Sequence, residues 1–125
     1  MKGSDANFLK FLCESYKKSL VQNKNGYDQD LFKIIYNIIY PSLVKQATFG
    51  KKSFEVILEL TPIIEHELKN AQCQENLLEM FQKLLNEEIE TIELLCRYFL
   101  GYTGLNITVH YDFDIEKKVV SFSWK

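Results

Sequence analysis

The sequence predicts an α+β fold, a mainly α-helical bundle with one long helix at about residues 74–100 and a C-terminal antiparallel β-hairpin. Two observations predict it. Apolar residues recur at helical spacing through most of the chain, and the C-terminal residues from 107 onward change to alternation. The 125 residues include only 5 Gly and 2 Pro and show no repeat or linker-like tract. We therefore expect a single domain over residues 1–125.

The first predicted helix covers about residues 4–22. Ser4 or Asp5 is suited to accept hydrogen bonds from the free amides of the first turn. The turn-forming residues 23–26 then end the helix. Its apolar stripe consists of Phe8, Leu9, Leu12, Cys13, Tyr16 and Leu20.

A second helix is predicted over residues 29–40, with Asp28 as its cap. Apolar residues occupy most of its circumference, which is typical of a central helix. A buried strand is the alternative because Ile and Tyr favour sheets, but the length and the lack of alternation favour a helix. Pro41 is expected to break this helix, and a short helix over residues 42–49 is expected to end at Gly50.

Residues 53–69 are predicted to be helical, interrupted at Pro62. The segment is either one kinked helix or two short ones, with Thr61 as the cap and Pro62 as the first residue of the second. Its apolar positions cluster on one side of a helix: Phe54, Ile57, Leu58, Leu60, Ile64 and Leu68.

The long helix at about residues 74–100 has the clearest amphipathic pattern. Glu79 with Lys83, and Glu93 with Arg97, are four residues apart with the acid first, the favourable order. Glu88 projects into the apolar sector, so its carboxylate must be paired, protonated or at the rim. We expect a rim position, and a buried hydrogen-bonded or functional acid is the alternative.

The C-terminal residues predict a β-hairpin. Apolar side chains alternate with polar ones on both sides of a short polar connection, at Ile107, Val109, Tyr111 and Phe113 and then at Val120, Phe122 and Trp124. Because Asn-Gly and Asp-Gly are absent, we expect a connection of four or five residues. A two-stranded sheet is marginal alone, so its apolar side chains must cover the helices or a second chain.

The residues that could support chemistry do not form a recognised pattern. His66 lacks a second histidine four positions later, so the zinc-protease motif fails. His110 has Asp112 and two serines nearby but no nucleophile turn, and the Gly101–Gly104 segment follows a helix, the reverse of a phosphate loop. We therefore predict no catalytic, cofactor-binding or metal-binding residues, and a protein that is not an enzyme.

Cysteine usage and the N-terminus indicate the compartment. The three cysteines, Cys13, Cys73 and Cys96, are widely spaced. Because the N-terminus has no signal-peptide core, the cysteines are expected to be reduced thiols in the cytoplasm. Because no apolar run reaches membrane-spanning length, we expect no membrane contact. Cys13 and Cys96 are expected to pack as small apolar side chains.

The charge distribution argues against nucleic-acid binding. Residues 1–50 carry 7 Lys against 4 acidic residues, a net charge of +3, but the lysines are scattered. A nucleic-acid accessory factor remains the alternative function, and it would use Lys10, Lys17, Lys18, Lys24 and Lys33.

A second apolar ridge on the long helix is the predicted partner-binding surface. Met80, Leu94 and Tyr98 lie there with Glu87, and one-sided packing does not require them, although packing in the core competes with this interpretation. Nearby acidic residues, including Glu90, are suited to attract a basic partner.

The predicted function is therefore a small non-enzymatic regulator, inhibitor or adaptor that binds another protein. Self-association through the long helix or the hairpin edge is a further expectation. A small-ligand or enzymatic domain is the remaining alternative, and it would need a pocket between the hairpin and the helices, for example near His110 and Glu88.

Overall fold

A computed structural model describes residues 7–10, 27–72 and 76–124. The fold is α+β, as predicted, and combines helices with an antiparallel sheet of three strands. The elements, in chain order, are α1 (Gln29–Thr48), β1 (Ser53–Ile57), α2 (Pro62–Asn70), α3 (Leu77–Leu85), α4 (Ile89–Phe99), a 3-10 helix (Gly101–Thr103), β2 (Asn106–Asp112) and β3 (Lys117–Ser123).

Part of the first predicted helix falls within the described residues. Residues 7–10 are helical, and the side chains of Phe8 and Leu9 are exposed. The other residues of that predicted helix lie outside the described residues, as do Cys13, Cys73 and the predicted turn at 23–26.

Helix α1 begins where the sequence predicts, since an Asp28 carboxylate oxygen accepts a hydrogen bond from the backbone N–H of Asp30 at 2.8 Å. The predicted break at Pro41 is wrong, because the helix continues through Pro41 to Thr48. Pro41 is exposed, so the carbonyl that loses its helical donor can bind water. Ile39 and Leu43, one turn apart, are both buried and hold the two halves of the helix to the core.

Residues 53–57 form strand β1, so the predicted helix over 53–69 is wrong in its first part. Phe54 and Val56 are half-buried and alternate with the exposed residues Ser53, Glu55 and Ile57. The later part is helical, and it begins as one alternative predicted. The Thr61 hydroxyl accepts a hydrogen bond from the N–H of Ile64 at 3.2 Å, with Pro62 as the first helical residue.

The predicted long helix is two helices, α3 and α4, separated at residues 86–88. The N–H of Asn86 donates to the Lys83 carbonyl at 3.1 Å, and Glu88 has an extended backbone with ψ 153°. The Lys118 ammonium fixes the break by donating to the carbonyls of Leu85, at 2.9 Å, and Glu87, at 2.6 Å. Both helices bury their apolar sides in the same core. The helical spacing of apolar residues in the sequence therefore continues across the break, although the helix itself is interrupted.

The C-terminal hairpin is confirmed, with four residues between its strands. It is not a two-stranded sheet, because β1 pairs with β3 and gives the antiparallel order β1-β3-β2. Two rows of side chains cross the sheet and face the helices: Phe54, Phe122 and Ile107, and Val56, Val120 and Val109.

The core lies between the sheet and the helices and takes buried side chains from every helix longer than one turn within 27–72 and 76–124. Phe32 of α1 stacks on Phe99 of α4, with ring centroids 4.7 Å apart. No helix within the described residues has the length and hydropathy needed to cross a membrane.

Candidate functional site

The predicted partner-binding ridge is not a continuous surface. Met80 is only 7% exposed, and its sulfur accepts a hydrogen bond from the N–H of Asp28 at 3.2 Å, so Met80 belongs to the core. Leu94 is half-buried, whereas Tyr98 and Glu90 are exposed on α4. The break at residues 86–88 places Met80 on a different helix from Leu94 and Tyr98. The exposed part of the predicted ridge therefore lies on α4 alone.

Glu87 serves as a structural contact. The Tyr27 hydroxyl donates to a Glu87 carboxylate oxygen at 3.4 Å, and Lys83 lies 5.2 Å from the centre of the Tyr27 ring. Burial, and then the Glu87 carboxylate, raise the pKa of Tyr27 above its ordinary value. Glu88 is exposed at the N-cap of α4, outside the core.

The candidates for chemistry stay apart. His110 is an exposed side chain on the sheet, and its Nε2 is 3.9 Å from a Glu55 carboxylate oxygen. His66 is exposed on α2. Burial, and then the charge of Glu93, raise the pKa of the Cys96 thiol to about 12, so the thiolate needed for nucleophilic attack does not form at neutral pH. Within the described residues, no group of three or more His, Cys, Asp or Glu is arranged to hold a metal ion.

An apolar cavity of about 40 Å³ lies between α1, the sheet and the α3–α4 pair. It lies between the hairpin and the helices, where a small-ligand domain would need a pocket, but neither His110 nor Glu88 lines it. Its walls consist of Phe32, Ile35, Ile39, Val56, Leu58, Leu84, Cys96, Leu100, Val120 and Phe122. Of the lysines that the nucleic-acid alternative would use, Lys10 and Lys33 are exposed, and Lys17, Lys18 and Lys24 lie outside the described residues.

An open groove of about 190 Å³ lies on the outer side of α1, beside the end of the sheet. We call it the α1 groove. It is lined by Tyr36, Tyr40, Leu43, Val44 and Ala47 of α1 and by Leu105 and Trp124, which flank β2 and β3. Tyr40 is 51% exposed and Val44 is 47% exposed. The groove therefore presents aromatic and aliphatic surface to solvent, next to a well-packed core.

Aromatic rings organise one end of the α1 groove. Tyr36 lies between Tyr40, at 5.8 Å between ring centroids, and Tyr102, at 6.5 Å in an edge-to-face arrangement. It also lies 6.5 Å from the buried ring of Phe122, which connects the groove to the core. Burial, and then the neighbouring Tyr40 and Tyr102, raise the pKa of Tyr36, so its hydroxyl stays protonated at neutral pH.

Backbone contacts hold the other side of the groove in place. The Trp124 indole N–H donates to the Lys51 carbonyl at 3.0 Å, and the Trp124 backbone N–H donates to the Lys52 carbonyl at 3.0 Å. Gly104 has a left-handed backbone, at φ 72°, and the N–H of Leu105 donates to the Thr103 hydroxyl at 3.2 Å. These hydrogen bonds therefore fix the position of Trp124 relative to the segment between α1 and β1, and that of Leu105 relative to the 3-10 helix.

The sequence around the groove is basic. Residues 31–54 contain four lysines and no acidic residue. Lys33 is seven residues before Tyr40 and eleven before Val44, which places the three residues on one side of α1. Lys51 and Lys52 hold Trp124 through their carbonyls.

Sequence reasoning did not find this groove. Apolar residues occupy most of the circumference of α1, which indicates a central helix. The described elements cover only part of that circumference. The missing signal was the position of Trp124, which depends on β1 pairing with β3.

Comparisons of this chain with protein-family models, with curated proteins and with solved structures find no match.

Proposed function

We propose that this protein is a non-enzymatic regulator, inhibitor or adaptor that binds another protein, and that the α1 groove is its docking surface. The ligand is a partner segment with bulky apolar side chains flanked by acidic residues. The observation that carries the proposal is the exposed aromatic groove beside α1.

The groove has the composition of a protein-binding site. Tyr and Trp contribute most of the energy at many interfaces because they cover large areas and lose little conformational entropy. Tyr36, Tyr40 and Tyr102 form a cluster of such side chains, and Trp124 adds a fourth. Tyr102 is 61% exposed, so much of this aromatic surface remains available to a ligand.

The charge around the groove defines the ligand further. Four lysines and no acid occur over residues 31–54, so acidic side chains beside the apolar anchors would be attracted. The positive charge should increase the association rate more than the final affinity, and the increase should decline with salt.

Selection from a displayed library of random peptides tests the proposal. We expect the enriched peptides to combine aromatic or aliphatic residues with Asp or Glu. Their binding should be lost in the double variant Tyr40→Ser/Val44→Ser, which removes exposed apolar surface without opening the core.

Tyr98→Ser is the matched control, since it removes a similarly exposed tyrosine from α4. The control should bind the enriched peptides as the unmodified protein does. Equal binding by the groove variant, or loss of binding in the α4 variant alone, would contradict the proposed docking surface.

A further inference from the structure

The two outer edges of the three-stranded sheet differ in how they are covered. Helix α4 covers the outer edge of β2. The Val109 N–H donates to a Glu93 carboxylate oxygen at 2.9 Å, and the Arg97 guanidinium donates to the Ile107 carbonyl at 2.8 Å. These side chains occupy backbone groups that would otherwise be free to pair with another strand. Two of the outward backbone groups of β2 are therefore already occupied by side chains of α4.

Among the residues that the structure describes, none pairs with the outer edge of β1. The N–H of Leu58 donates to the Lys118 carbonyl at 2.8 Å, and the N–H of Trp124 donates to the Lys52 carbonyl at 3.0 Å. Even-numbered residues of this segment therefore direct their backbone groups toward β3. Since these directions alternate along a strand, Ser53, Glu55 and Ile57 direct theirs outward. No other residue in 7–10, 27–72 or 76–124 forms a hydrogen bond with these outward groups.

We infer that β1 pairs in antiparallel fashion with β1 of a second copy of this chain, so that two sheets join into one of six strands. In the inferred register Ser53 lies opposite Glu55 of the second copy, and the two-fold axis passes beside Phe54. No residue of β1 lines the α1 groove, and this inference does not rest on the proposed function.

Side-chain chemistry selects this register. Ser53 and Glu55 are both exposed on the same face, where each Ser53 hydroxyl can donate to the Glu55 carboxylate opposite it. Lys51, two residues before Ser53, adds a positive charge near the same carboxylate. On the other face, the two half-buried Phe54 rings meet at the axis and cover each other. These contacts are self-complementary, which favours a second copy as the occupant.

The neighbouring registers are less favourable. A register with Glu55 opposite Glu55 places like charges against each other. A register with Lys51 opposite Glu55 requires the backbone N–H of Lys51, which already donates to the Gln46 carbonyl at 3.0 Å. The inferred register uses the outward groups of Ser53 and Glu55 on both copies and forms four backbone hydrogen bonds, two fewer than the register with Glu55 opposite Glu55, so the side chains and not the bond count favour it.

The two β1 strands pair over only a few residues, and this short length limits the stability expected for the dimer. A strand pairing of this size buries less than the roughly 1,600 Å² of a standard stable interface. We therefore expect a weak dimer whose population rises with protein concentration.

Sedimentation velocity over a concentration series measures this association. The unmodified protein should shift from monomer toward dimer as concentration rises. Glu55→Lys removes the acceptor for Ser53 and faces Lys51 with a second cation, so it should weaken dimerisation at least about tenfold. Glu90→Lys, the same charge reversal on an exposed residue of α4, should leave dimerisation unchanged.

Cysteine cross-linking tests the register. In a chain with Cys13 and Cys73 replaced by Ser, neither Ser53→Cys nor Glu55→Cys should cross-link with itself under mild oxidation. A mixture of the two should form a disulfide-linked heterodimer, because opposite residues of a strand pair have a Cα separation suited to a disulfide. Ser53→Cys mixed with Glu90→Cys provides the control for random collision and should not cross-link above background.

Circular dichroism of each variant confirms that it is folded before the comparison is made. The inference is overturned if the unmodified protein stays monomeric at the highest concentration, or if Glu55→Lys dimerises normally. It is also overturned if either single cysteine variant links to itself more readily than the mixture links.

Discussion

Glu116 has a left-handed backbone, at φ 54°, and it is the one non-glycine residue with positive φ in the part of the chain that the structure describes. It ends the four-residue connection between β2 and β3. A side chain with a Cβ atom is strained in this conformation, whereas glycine is not. Glu116→Gly should therefore raise the free energy of unfolding by up to about 1 kcal/mol, measured by urea denaturation.

The control for this change is Glu116→Ala, which removes the same charge but keeps the Cβ atom. Alanine should give little or no gain. Equal stabilisation by both variants would show that charge, and not backbone strain, is the cause.

Lys118 is the residue that fixes the break between α3 and α4, through the two carbonyls its ammonium contacts. Lys118→Met keeps most of the aliphatic chain but leaves the carbonyls of Leu85 and Glu87 without this donor. The free energy of unfolding should fall by about 1–3 kcal/mol in thermal or chemical denaturation.

Lys117→Met is the neighbouring control. The Lys117 ammonium is 3.6 Å from a Glu59 carboxylate oxygen, and both side chains are largely exposed, so the pair should contribute little. A loss of similar size in the two variants would contradict the role given to Lys118.

Among the helices, α4 starts without a side-chain cap. Asp28, Thr61 and Asn76 each accept a backbone hydrogen bond at the start of α1, α2 and α3, whereas Glu88 accepts none. Glu88 already has the extended backbone of a cap residue, and its side chain is one methylene too long. Glu88→Asp should therefore raise the free energy of unfolding by about 0.5–1 kcal/mol.

Glu90→Asp tests whether the position matters, because it makes the same chemical change inside the first turn of α4. Thermal denaturation should show stabilisation for Glu88→Asp and none for Glu90→Asp. Stabilisation by both, or by neither, would mean that the start of α4 does not depend on this cap.

The secondary structure was predictable from the sequence where neighbouring residues alone determine it. Asp28 and Thr61 mark helix starts by their own hydrogen bonds, and the alternation in β2 and β3 identifies the hairpin. The break at residues 86–88 was missed because it depends on Lys118, a residue distant in sequence. Strand β1 was missed because Phe54, Ile57 and Leu58 also fit helical spacing, and its pairing with β3 is a tertiary contact.

At the scale of the whole molecule, the sequence indicated that apolar surface exceeds what the core requires, but it could not locate the excess. The periodicity places Met80 on an exposed ridge. In the structure Met80 is buried, and its sulfur accepts a hydrogen bond from the backbone N–H of Asp28. Tyr40 belongs to the helix predicted to be central, yet it is exposed. Which side of a helix is covered depends on how the elements pack, and no single segment contains that information.

The fluorescence of Trp124 can report directly whether the α1 groove binds a protein segment with apolar and acidic residues. Trp124 is the one tryptophan of the protein, and it lines the groove. Titration with an enriched peptide that lacks tryptophan should shift the Trp124 emission to shorter wavelength and saturate, with an affinity that falls as salt is added. Peptide binding detected by calorimetry with no change in Trp124 emission would contradict the account.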